Sequence, residues 1–155
     1  MKDELMFEYL FIDGEFKPDE FMETQEEYGN STPGKNEFAA KMQKRYKRAS
    51  VDVVNLMELT PNSPTLGTIR FQLLKSSTSA AANYRAVCRA RSRNEFFAKL
   101  SITVEETDET LFWMEVLNES IIKVDRAELA IMLKEWTEFI KVVSKARKTA
   151  SDNKY

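Results

Sequence analysis

Apolar side chains recur at intervals of three and four along most of this chain, which gathers them on one face of successive helices. The first stripe runs Phe38, Met42, Ala49, Val53 and Leu56 and predicts a helix from about Asn36 to Leu59. Thr60-Pro61-Asn62-Ser63-Pro64 then breaks the rhythm. Proline lacks the amide hydrogen that a helix interior needs, so this segment ends one helix and introduces the next. The second stripe, Leu73, Ser77, Ala81, Tyr84 and Cys88, predicts a helix reaching about Ser92, with small residues that suit close approach of a neighbour. A third seam runs Phe97, Leu100, Val104, Thr107, Leu111 and Met114. A fourth runs Leu129, Met132, Trp136, Phe139, Val143 and Ala146, with Asp125 placed to cap its start.

The strong helix breakers mark the domain boundary. All four glycines and all four prolines precede Thr68, and the run Gly29-Asn30-Ser31-Thr32-Pro33-Gly34 reads as a linker that places the start of the folded domain near Lys35. Four amphipathic helices of roughly 20 to 25 residues on short loops predict an all-α, antiparallel up-and-down four-helix bundle over 36–155. Residues 1–35 form an acidic N-terminal extension, with ten acids against three lysines and a balance of −7. The overall charge of −2 leaves +5 for the remainder. Three readings of the extension stay open. Asp13-Gly14 suits the turn of a small hairpin, and the acid-and-aromatic alternation around Phe7, Phe11, Phe16 and Phe21 equally suits a disordered tail or a segment docked on this bundle or a partner.

Composition narrows the chemistry. A chain of 155 residues that is 43% hydrophobic and 31% charged suits one soluble domain. There is no apolar run of membrane-spanning length, and the N-terminus lacks the pattern of a signal peptide, so a cytoplasmic protein is expected. The single cysteine, Cys88, excludes an internal disulfide and reads as a buried structural thiol. With no histidine, Ser-His-Asp and Cys-His nucleophilic sites are excluded, and the usual nitrogen metal ligand is missing. Glu105, Glu106, Asp108, Glu109 and Glu115 therefore read as a solvated or ion-paired face. Gly67 stands alone, without the companions of a phosphate-cradling loop. No enzyme activity, metal or cofactor is expected.

Basic clusters are the stronger lead. Lys41, Lys44, Arg45, Lys47 and Arg48 crowd the outer side of the first helix, and Arg85, Arg89, Arg91 and Arg93 crowd the end of the second and the turn beyond it. Such clusters neutralise phosphate without demanding sequence, and Tyr46 and Tyr84 lie among them where they could stack on unpaired bases, although Tyr84 also fits the core stripe. Against this, Glu37, Asp52, Glu58 and Glu95 are placed to pair locally, and a pI of about 5.4 speaks against a constitutive polyanion binder.

The run Thr78 to Arg85, the Ala90-Arg91-Ser92 link, Glu95 to Leu100, Asp108-Glu109-Thr110 and Phe112 to Glu115 together resemble the four-helix-bundle proteins encoded in intervening sequences of bacterial 23S rRNA genes. The resemblance extends over about residues 36 to 148. It implies a non-catalytic, ring-forming homopentamer acting as an adaptor, with RNA or DNA and a partner protein as the classes of ligand; a divergent, strongly basic branch serves reverse transcriptases as an accessory subunit. Ala86 departs from the family pattern, which often has Glu after Asn-Tyr-Arg, and the low pI sets the chain apart from the basic branch. Large apolar residues outside the seams, namely Phe71, Phe96, Phe112, Trp113 and Ile140, fit a second buried surface between subunits. The same clusters also fit a protein-interaction scaffold with no nucleic-acid contact.

Overall fold

The structure, a computed structural model, describes residues 35–152, so the three readings of the N-terminal extension lie outside the described residues. It contains α1 (Lys35–Leu59), α2 (Leu66–Val87), α3 (Arg93–Glu119) and α4 (Arg126–Asp152). Each helix packs on its sequence neighbour, and α1 closes the ring against α4. Cross-helix contacts give the antiparallel sense: the ring of Tyr46 stacks on that of Tyr84, whereas Ser50, one turn further along α1, donates to the carbonyl of Ser77, two turns earlier in α2. The four-helix bundle expected from the periodicity is the observed fold.

Packing is most extensive between α2 and α3, whose buried residues include several that are small or carry hydroxyls beside the larger apolar ones. Ser76, Ala80, Thr103 and Thr110 let the two backbones approach. The Thr110 and Ser76 hydroxyls share a 3.0 Å hydrogen bond, and Thr110 also returns a bond to the carbonyl of Glu106 at 2.7 Å. A polar layer in a core is tolerable only when its groups are paired, and these are.

At the centre lies Tyr46. Its ring stacks on Phe139 at 4.1 Å and on Tyr84 at 5.0 Å, meets Trp136 edge-on, and its hydroxyl bonds Thr107 Oγ1 at 3.0 Å. One side chain thus touches all three other helices. Tyr46 fits the first stripe, four residues after Met42 and three before Ala49, and it is fully buried. The expectation that it stands among the outer charges is corrected, whereas Tyr84 is buried as its place on the second stripe predicts, which leaves its alternative role among those charges without support.

Two arginines finish the helix ends that lack a glycine cap. Arg70, from α2, donates to the carbonyls of Met57 and Thr60 and to Asn62 Oδ1, closing the end of α1. Arg126, from α4, donates to the carbonyls of Leu117, Asn118, Ser120 and Ile122 at the end of α3. Each places a cation where a helix presents unpaired carbonyls and the negative end of its dipole. Asp125 caps α4 as expected, accepting from the amides of Ala127 and Glu128.

Two expectations are corrected. The second helix ends at Val87 rather than Ser92: Cys88 to Ala90 tighten into a turn, and Ser92 instead caps α3, accepting from the amide of Glu95 at 3.1 Å. In the third seam the core position belongs to Phe96, with Phe97 only half-buried, so Phe96 is withdrawn from the candidate subunit surface.

Tyr46→Phe removes one buried hydrogen bond while leaving Thr107 bonded to the carbonyl of Thr103, and is expected to cost about 1 kcal/mol. Tyr46→Ala empties the centre and is expected to cost about 3–5 kcal/mol. Urea unfolding measures both. Equal costs would show that the ring does not hold the helices together.

Candidate functional site

Alternating helix direction sorts the charges. It brings the first half of α1, the second half of α2, the first half of α3 and the second half of α4 to one end of the bundle. Residues 37–47, 80–104 and 139–151 carry thirteen Lys and Arg against Glu37 and Glu95. The other described segments, 48–79 and 105–138, carry six basic residues against twelve acidic ones. The described bundle has a basic pole and an acidic pole. Residues 59–94, which include all of α2, contain no carboxylate.

At the basic pole α1 and α2 frame a groove of about 450 Å3. Lys44, Lys47, Val51 and Val54 follow at spacings of three and four on α1, and Thr78, Ala82, Arg85 and Arg89 do so on α2, so each set forms one straight edge. Four cations gather where Lys44 and Lys47 face Arg85 and Arg89, and no carboxylate lines the groove. Towards the middle of the bundle the lining turns apolar. Val51 is 41% exposed and Val54 44%.

The structure separates the other candidate cations from these four. Lys41 pairs with Glu37 at 2.7 Å, and that hydrogen bond and charge hold the Glu37 carboxyl below its ordinary range. Arg48 pairs with Asp52 at 3.0 Å and Arg91 with Glu95 at 3.1 Å. Glu95 also accepts from the Arg91 amide, and the pairing lowers its pKa while raising that of Arg91. Local pairing was expected for these three carboxylates. Arg93 opens α3 at the same pole, exposed but outside the groove.

Arg45 requires a correction. Rather than joining the outer cluster, it turns towards α4, forming a two-pronged bond to Glu135 with both contacts at 2.8 Å and lying 5.2 Å from the centre of the Phe139 ring. Its neighbour Lys44 sits about 100° away around the helix, which is what divides a structural cation from a solvent-facing one. Tyr46 and Tyr84 are likewise unavailable for base stacking. Burial holds both phenols well above their ordinary range.

The remaining chemistry is spare. Among the acids of α3, Glu109 accepts from Trp113 Nε1 at 3.2 Å, and Glu105, Asp108 and Glu115 are exposed. Among the described residues, no three His, Cys, Asp or Glu side chains gather to hold a metal, and no helix is long and apolar enough to cross a membrane. A second groove of about 700 Å3 at the acidic pole mixes Arg48 and Lys123 with Asp52, Asp125 and Glu128. Its mixed signs do not select an anion.

No protein-family profile matches the chain, and neither does any curated protein. Among solved structures, it is similar to a protein of unknown function from the S23 ribosomal protein family of Bacteroides thetaiotaomicron VPI-5482. The two share 29% sequence identity at a TM-score of 0.61, over 68% of this chain and 97% of the other.

Cys88 adjoins the groove and tests how dry its inner wall is. Burial pushes the thiol up to about 11, against hydrogen bonds from Gln43 and Tyr84 and the charge of Arg89, which act the other way. The folded state therefore favours the neutral thiol. This contribution to stability is full below the ordinary thiol pKa and is lost as pH rises through about 11. Alkylation of Cys88 by iodoacetamide at pH 8 is expected to run about two orders of magnitude slower in the folded protein than in urea, following the thiolate fraction. Equal rates would show an open, hydrated thiol.

Proposed function

We propose that this chain is a non-catalytic, cytoplasmic adaptor of the 23S rRNA intervening-sequence type that binds the phosphate backbone of RNA at its basic pole. The observation that carries the reading is the convergence of Lys44, Lys47, Arg85 and Arg89 on a groove without a carboxylate. A net charge of −2 does not oppose it, because the acidic residues of the described bundle concentrate at the other pole. The likeness to a member of the S23 ribosomal protein family supports the same placement. Readout of base sequence is not part of the proposal, since contacts from lysine and arginine to phosphate carry no base code.

Assembly into a ring of five belongs to the proposal too. Phe71 and Phe112 are 65% and 53% exposed, and a monomer gains nothing by presenting such rings to water. Trp113 and Ile140, by contrast, are half-buried against their own core. Light scattering is expected to give the mass of five 18.0 kDa chains, and a monomer at micromolar concentration would contradict the ring.

Lys47→Glu with Arg89→Glu is expected to weaken binding to unrelated structured RNAs alike. Each lost phosphate contact lowers the slope of log affinity against log salt by about one unit. Gel retardation over a salt series reads both effects, with Lys123→Glu at the acidic pole as the control that leaves them unchanged. If the parent protein binds no RNA at low salt, the bundle is a protein-interaction scaffold.

A further inference from the structure

Phosphate binding accounts for one half of the α1–α2 groove, where Lys44, Lys47, Arg85 and Arg89 converge. The other half is lined by Ser50, Val51, Val54, Thr78, Ala81 and Ala82, and it offers a phosphate no donor. A hydroxyl has one proton to give, and both of those here are spent on the backbone. Ser50 Oγ donates to the carbonyls of Tyr46 at 3.0 Å and Ser77 at 2.9 Å, and Thr78 Oγ1 donates to that of Leu74 at 2.7 Å. What remains is a floor of methyl groups. The alanines are low enough for a flat body to lie over them, and the two exposed valines stand beside it.

We infer that the groove takes an unpaired strand of RNA, with its phosphates on the four cations and a base lying on the valines. The inference rests on the proposed function and narrows its ligand from RNA to single-stranded RNA. A duplex keeps its bases stacked inside and presents sugar and phosphate, so it has no apolar face to lay on Val51 and Val54. An unpaired base has two such faces, and one of them leaves water when it lies on an apolar side chain. The spacing agrees. Along α1, Val51 lies about 6 Å beyond Lys47 and Val54 about 11 Å beyond it, so a strand anchored at Lys47 has its next bases over the valines. A groove of about 450 Å3 has the size of a small-molecule cleft, which one or two nucleotides fill and a double helix does not enter. Since every base has an apolar face, the valines add affinity without reading sequence.

Fluorescence anisotropy on the full-length chain, with an oligouridine and an RNA duplex of equal length as probes, tests this. The duplex carries twice the phosphate, so a site for phosphate alone favours the duplex. The groove is expected to favour oligouridine instead, by about tenfold at the same salt, the scale of one stacked base. Val51→Ser with Val54→Ser is expected to erase that preference. It should weaken oligouridine binding about tenfold and leave duplex affinity and both salt slopes unchanged, because no phosphate contact is lost. Val51→Phe broadens the apolar face and is expected to tighten oligouridine alone. Urea midpoints near the parent's are expected for both variants, since these side chains are exposed. Duplex bound as well as oligouridine by the parent, or oligouridine affinity unmoved by either variant, would overturn the inference and leave the phosphate reading standing. Binding of neither probe at low salt would overturn the nucleic-acid reading itself, and this inference with it.

Discussion

Tyr46 touches α2, α3 and α4 at once, and the heights at which the four helices stand follow from what its ring and hydroxyl require. The ring needs flat partners on both sides, which Tyr84 and Phe139 provide. The buried hydroxyl needs a polar partner, and Thr107 is the nearby group that offers one. Sliding α3 by a turn would strand that hydroxyl in an apolar interior, at a cost of about 1–3 kcal/mol. An all-leucine layer would tolerate such slippage, whereas a tyrosine that must satisfy three neighbours does not.

Register has a consequence at the surface. Once Tyr46 lies level with Tyr84, Lys44 and Lys47 stand across from Arg85 and Arg89, and Arg45 is turned towards Glu135. The α2–α3 interface contributes in the same way. Its serines, alanine and threonines keep the packing tight without spending any charged residue, which leaves the acid-free face of α2 for the solvent side. Core chemistry therefore selects which cations remain open.

The stripes of α1 and α4 were fully legible, since every residue assigned to them is buried. The start of α3 was not: Phe96 and Phe97 both fit the rhythm to Leu100, and only the path of the chain leaving α2 chooses between them. The end of α2 was obscured by the absence of Gly and Pro, but Ser92 and Glu95 carry the Ser-Xaa-Xaa-Glu signature of a helix start, a signal that outweighs continued apolar spacing. Of the nine candidate cations, Lys41, Arg48 and Arg91 are set apart by an acid one turn away, whereas Arg45 and Arg93 differ from the four in the groove by angular position alone. Angular position relative to a neighbouring helix is set by tertiary packing, which a single sequence does not display. The carboxylate-free run from 59 to 94 is a signal that the reading of basic clusters left unused, and it marks α2 as one wall of the site. Arg70 and Arg126 left no trace in periodicity, because each acts on the helix before its own.

Separating the charges to opposite ends also gives the described bundle a permanent moment along its long axis. Near a polyanion such a body feels a torque before it feels contact, so it turns its basic end forward while still in free diffusion. Productive encounters then depend less on chance orientation, and that advantage fades as added ions shorten the range of the field. Two bundles with the same net charge, one mixed and one segregated, would approach the same target at different rates.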